Sequence, residues 1–199
     1  MGWREFGRQF SGVKKRPDLR LLLAAPGVLM AVLGVTFNGL GPLGFKLPLT
    51  VLVMAFLTAY WGIEALTAAF ERSTSFLAAG RLLEGSVGAL ALTPGWALSL
   101  ALTSSVGEEA FFRGLTLHMA SLVMPMWLAV PAQALAFAAL HPAPRVAWAY
   151  PLWAFFVGLL LGLIAVGCGS VLPGMLAHYL FNHLNFTSVL EGRVESKGA

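Results

Sequence analysis

Charge is what this sequence has least of. Only 11% of its 199 residues are Asp, Glu, Lys or Arg, thirteen basic and nine acidic, against about 25% in a soluble domain. So few charges cannot coat a globule of this size, which excludes an ordinary soluble domain. There is one cysteine, Cys168, so no intrachain disulfide can form and a disulfide scaffold is excluded. The sequence has no internal repeat and no low-complexity linker, and its 58% apolar content excludes a disordered chain. What it has in quantity is long apolar runs, and its mean hydropathy is +0.78. These runs are not the alternating ten-residue segments of a membrane barrel. The composition therefore predicts an all-α fold, a polytopic transmembrane helix bundle.

The few charges are unevenly placed. Residues 1–20 hold Arg4, Arg8, Lys14, Lys15, Arg16 and Arg20 against Glu5 and Asp18, which accounts for the whole net charge of +4. A basic tail is not the basic face of a nucleic-acid-binding domain, so no nucleic-acid partner is expected. A basic flank ahead of the first apolar run predicts a cytoplasmic N-terminus, with 1–18 as a basic cytoplasmic segment. The apolar stretch from Leu21 to Phe37 is longer than a signal-peptide core and ends in no small-x-small cleavage site, so it is read as a retained first helix.

A spanning helix needs about 20 apolar residues. Leu19–Phe37, kinked at Pro26, and Leu47–Phe70 are the first two, joined by a Gly/Pro turn at Asn38–Lys46. Ser75–Leu92 carries Arg81 and Glu84 and is expected to lie at the interface or be part-buried. Thr93-Pro94 is a helix start, with Thr as N-cap and Pro at the first position. That helix runs to about Leu122, and the next ends at His141, ahead of Pro142. Ala147–Val166 and Val171–Leu190 follow, split by Gly167-Cys168-Gly169-Ser170. The expectation is about six spans plus one interfacial helix. Its parts are N-terminal helices over 19–93, a catalytic-type bundle over 94–190 and a tail over 191–199.

Polar groups inside a membrane bundle need a reason. Glu64, His118, His183 and Asn185 are scattered candidates; three groups are more informative. In Glu108-Glu109-Ala-Phe-Phe-Arg113, Glu109 and Arg113 are four apart and can pair, while Glu108 projects about 100° away and is free for another task. In Phe137-Ala-Ala-Leu-His141, Phe and His share a face. Residues 108 and 141 are equidistant from Met124-Pro125, so antiparallel neighbours turning there bring Glu108 and His141 to one depth. In His178-Tyr-Leu-Phe-Asn182, His and Asn share a face, but upright helices would leave His178 several residues out of level with His141. A carboxylate beside two imidazoles and an amide can activate water and hold an oxyanion, the needs of peptide hydrolysis. Glu108, His141 and His178 could equally bind a divalent metal such as zinc, with water in the open position. Interhelical hydrogen bonding is the plain structural alternative. Ser104, Ser105 and Cys168 make no convincing nucleophile–base pair, and there is no HExxH. A transporter using Glu64, Glu108 and Glu109 would call for paired repeats, and there are none.

The three groups, in this order, resemble the motifs EExxxR, FxxxH and HxxxN of the CAAX protease and bacteriocin-processing (CPBP, or Abi) family of intramembrane endopeptidases, which includes the type II CAAX prenyl endopeptidases. The resemblance covers roughly residues 94–190. It implies a membrane endopeptidase, a peptide hydrolase, acting on a membrane-associated protein or peptide. By the same resemblance Glu108 activates the water with help from His141, His178 and Asn182 form the oxyanion site, and Glu109, Arg113 and Phe137 support them. The implied site needs no cofactor, with zinc on Glu108, His141 and His178 as the alternative. Some family members are non-catalytic immunity or scaffold proteins. The Ala/Leu/Gly-rich composition is of bacterial type, which gives a multi-pass protein of the cell (inner) membrane with the lipid bilayer as its surroundings.

Overall fold

The computed structural model describes residues 17–38, 47–89 and 93–198. Most of the basic N-terminal segment and most of the expected Asn38–Lys46 turn lie outside the described residues. The described chain is all-helical. It consists of α1 (Pro17–Asn38), α2 (Leu49–Phe70), α3 (Thr74–Ala89) and α4 (Pro94–Glu108), which continues as a widened π-helical segment over Glu109–Thr116. Then come α5 (Leu117–Val123), α6 (Met126–Ala139), a single 3-10 turn at Arg145–Ala147, α7 (Ala149–Cys168) and α8 (Leu172–Gly198).

Local chemistry sets the boundaries. Thr93 caps α4 as expected: its Oγ1 accepts from Trp96 N at 3.4 Å, with Pro94 in the first turn. Met124 and Pro125 are extended and divide α5 from α6. Gly169 ends α7 in the left-handed conformation, φ +66°, which a glycine adopts without steric cost. Three expectations are corrected. The helix from Pro94 is not uniformly α-helical, because the π segment interrupts it at Glu109. The helix expected to end at His141 stops at Ala139, with Leu140 already in a turn. The last helix, expected over Val171–Leu190, passes Leu190 and continues to Gly198.

Pairwise contacts give the directions. A Cβ on Gly27 would meet Thr103, and one on Gly34 would meet Ala110, so α1 and α4 run parallel. Gly62 meets Leu160, and Trp153 Nε1 donates to Thr67 Oγ1, so α2 and α7 are antiparallel. Ala134–Gly158 and Val130–Gly162 do the same for α6 and α7, and Leu161–Gly174 and Trp153–Phe181 for α7 and α8. The helix ends near residues 70, 94, 140 and 149 therefore gather at one end of the bundle. Those near 38, 49, 125 and 170 gather at the other.

The core is built from Phe112, Phe137, Ile63, Val157 and Leu161, all nearly sealed, with alanines 59, 154 and 177 letting the helices close up. The outer surface is apolar too. Trp61, Trp127 and Val123 are 65%, 73% and 80% exposed, an arrangement that suits acyl chains rather than water. By length and composition two helices, α2 and α7, can each cross a membrane. α6 is shorter: its 14 residues reach about 21 Å, against a hydrocarbon core of about 30 Å. The chain therefore turns inside the bundle, and α3 packs over this turn, where Ala149 N donates to Ser75 Oγ at 3.1 Å.

Candidate active site

α4 and α8 lie antiparallel in a register that pairs Glu108-Glu109 with His178 and, one turn away, Ser104-Ser105 with Asn182. His178 Nδ1 lies 3.0 Å from Glu109 Oε1. Because a carboxylate can only accept, Nδ1 carries a proton, and Nε2 turns toward Glu108. The same Glu109 oxygen is 3.1 Å from Arg113 Nη1, both side chains being sealed from solvent. The Arg113 guanidinium also lies 4.3 Å above the Phe137 ring, so its charge is balanced by a carboxylate on one side and a π face on another. Gly174 packs against this layer: a Cβ there would be in ordinary contact, 3.4 Å from Glu109 Oε2 and from Leu161.

His141 is fixed in a similar way. Its Nδ1 meets the Phe137 carbonyl oxygen at 2.7 Å. The carbonyl only accepts, so Nδ1 again carries a proton, and Nε2 turns toward Glu108. This bond folds the ring back by one turn onto Phe137, with centroids 4.4 Å apart. The early end of α6 and this fold-back remove the difference in depth between His141 and His178. Both Nε2 atoms stand 3.8 Å from the same oxygen, Glu108 Oε2, which is buried without a hydrogen-bond partner. Such a distance is too long for a direct hydrogen bond and leaves room for one bridging water.

These groups line a cavity of about 640 Å³. Glu108, His141, His178, Asn182 and Phe137 all border it, with Tyr150, Trp153 and Phe181 as an aromatic wall. Tyr150 sits edge-on to His141 at 5.9 Å and stacks on Trp153 at 5.6 Å. Arg81 and Glu84 of α3 also border the cavity, so the helix expected at the interface forms part of its wall. Glu109 and Arg113 stay behind the cavity wall.

The remaining candidates do not join the cluster. Glu64 hydrogen-bonds Tyr60 on its own helix. His118 is exposed beside a separate cavity of about 380 Å³ at the far end of the bundle. His183 stacks on Tyr179, Asn185 Nδ2 donates to the Phe181 carbonyl, and Cys168 Sγ donates to Ser170 O in the far turn. Sequence reasoning missed Ser104 and Ser105 as partners of Asn182: Asn182 Nδ2 donates to their hydroxyls at 3.2 and 3.3 Å. Their position one turn before the two glutamates was the available signal. It also missed the bond from Glu109 to His178 and the aromatic wall, for which single aromatics in an apolar helix give no signal.

The donor set Glu108, His141 and His178 is chemically suited to zinc. Zinc bonds of 2.0–2.1 Å in a tetrahedron put ligand atoms about 3.4 Å apart. Both oxygen–nitrogen separations here are wider, and among the described residues no group of three His, Cys, Asp or Glu side chains has the arrangement of a metal site.

Residues 90–184 match the family model described as type II CAAX prenyl endopeptidase Rce1-like. The matched stretch contains every residue of the cluster. No curated protein and no solved structure matches the chain.

Proposed function

We propose that this chain, whose residues 90–184 belong to the type II CAAX prenyl endopeptidase Rce1-like family, cleaves a peptide bond of a membrane-associated protein or peptide with a water activated by Glu108 and the two histidines. Membership in this family implies intramembrane CAAX-type protease activity in general. The observation that carries the specific reading is the approach of two imidazole Nε2 atoms to one buried carboxylate oxygen, each at 3.8 Å. The carboxylate oxygen accepts, so a water placed between the three atoms donates a proton to Glu108 and turns a lone pair outward.

In this reading the water oxygen attacks the carbonyl carbon while Glu108 takes its proton. His141 Nε2 lies on the same oxygen, takes that proton from Glu108 and passes it to the departing amine nitrogen as the C–N bond breaks. Asn182 donates from Nδ2 to the developing oxyanion, and His178, one turn away on α8 and held at Nδ1 by Glu109, donates to it from Nε2 in its protonated form. Glu109 holds the His178 ring, and Arg113 and Phe137 hold Glu109. No step passes through a metal. The protein sits in the cell membrane as a multi-pass bundle of about six spans, N-terminus in the cytoplasm, with α3 at the interface.

The test is cleavage. Purified protein in lipid vesicles is given a library of membrane-associated peptides and the products are read by mass spectrometry, wild type beside Glu108→Gln. New termini with wild type and none with the variant support the reading. A biological effect that survives Glu108→Gln without cleavage favours the scaffold or immunity alternative.

A further inference from the structure

The two polar layers between α4 and α8 are built to one plan. Each sets a pair of adjacent side chains on α4 against one side chain on α8, and the layers are four residues apart on both helices. In the first, Glu109 is sealed and grips His178, while Glu108 borders the cavity. In the second, Ser105 is sealed, Ser104 borders the cavity, and both hydroxyls receive Asn182 Nδ2 at 3.2 and 3.3 Å. One turn further on, Leu100 meets Phe186 and the pairing becomes apolar. The polar register therefore stops after these two layers. Ser104 Oγ also donates to Ala101 O at 3.3 Å, which turns its lone pairs toward the amide.

We propose that Ser104 and Ser105 are positioning residues: their two hydroxyls share one Asn182 N–H, which fixes the plane of the amide and aims its second N–H at the substrate's carbonyl oxygen. This rests on the proteolytic reading above. A primary amide has two χ angles and no charge to hold it, and in an apolar bundle it would otherwise turn toward any free carbonyl. Two hydroxyls one residue apart remove that freedom. The serines need no base and form no acyl intermediate; they act only through Asn182.

The test combines kinetics with a direct view of the amide. In lipid-reconstituted protein, Ser104→Ala and Ser105→Ala should each lower kcat about tenfold and the pair up to about a hundredfold, with KM within a factor of two and melting temperatures near wild type. Ser104→Thr, which keeps the hydroxyl, should restore the rate. In an Asn182→Ala background the serine changes should cost nothing further. Losses that multiply in that background, or that appear in KM alone, overturn the proposal. The second readout does not need catalysis. The Asn182 side-chain amide resonances, assigned by their loss in Asn182→Ala, should shift in both serine variants, and unshifted resonances overturn the proposal even if no substrate is cleaved. A wild type that cleaves nothing while these resonances shift sinks the proteolytic reading and leaves the cradle standing.

Discussion

Glu109 serves His178 and leaves Glu108 for the cavity. Its Oε1 is 3.0 Å from His178 Nδ1 and 3.1 Å from Arg113 Nη1, so one oxygen ties α8 to the helix that carries both glutamates. The arrangement is an ion pair, a cation over an aromatic face and an oriented imidazole in series, with almost no access to water.

Removing one member leaves a buried charge. Arg113→Ala should destabilise the protein by about 3–5 kcal/mol. Arg113→Lys should recover only part of that, because a point charge replaces a planar group stacked on Phe137. Thermal melting in detergent measures both; a wild-type melting temperature for Arg113→Ala would show that the pair contributes nothing.

Glu108→Gln keeps the shape of the side chain and removes the proton acceptor. Turnover should fall by about 10²–10⁴-fold while substrate binding persists. His141→Ala and His178→Ala should fall comparably. The double variants should lose little more, since the three groups act on one water.

Exhaustive chelation separates the two uses of the same three side chains. Activity should be unchanged, and elemental analysis should find far less than one metal per chain. Loss of activity restored by zinc alone would assign Glu108, His141 and His178 as ligands.

Gly107 is the contact through which α1 supports the site. A Cβ there would run into the Gly27 carbonyl oxygen, with backbone on both sides and no flexible side chain to yield. Gly107→Ala should cost about 1–3 kcal/mol of stability. It should also lower kcat, because the neighbouring residue is Glu108. Gly107→Ala with wild-type melting and wild-type turnover would show that the two helices can part there without moving the carboxylate.

The direction of insertion can be read with reporters. A cytoplasmic reporter fused after residue 199 should be active and a periplasmic one silent. The opposite result would put an odd number of crossings between the termini.

Much of the site was legible because membrane bundles tolerate few polar groups, so each one stands out. Glu108, His141 and His178 were found that way, and the depth arithmetic through Met124-Pro125 brought the first two level. The arithmetic could not bring in His178, because it treats helices as full-length rods. Nothing in the spacing says that α6 ends early, or that the His141 ring folds back onto the Phe137 carbonyl. The π segment was equally hidden: Glu109-Ala-Phe-Phe-Arg113 reads as ordinary helix, and it is packing against α1 and α6 that accompanies the wider turn. Ser104 and Ser105 are visible one turn before the glutamates, but in the sequence they stand only as serines without a convincing base, and a hydroxyl that accepts a hydrogen bond from across a helix pair leaves no mark in sequence spacing. The end of α8 was missed because a charged run after Leu190 reads as solvated tail, although charge does not stop a helix that has already begun.

The early end of α6 has a consequence for whatever enters the cavity. Over the missing third of that helix the wall is not lipid but the chain's own turn at 140–148, roofed by α3. A peptide backbone is poorly solvated among acyl chains, where each unpaired amide group costs several kcal/mol. Here it would instead travel along carbonyls, hydroxyls and aromatic rings from the bundle's end down to Glu108. The shortened helix thus makes a notch of protein-like dielectric in an otherwise hydrocarbon surrounding, and water can follow the same notch inward.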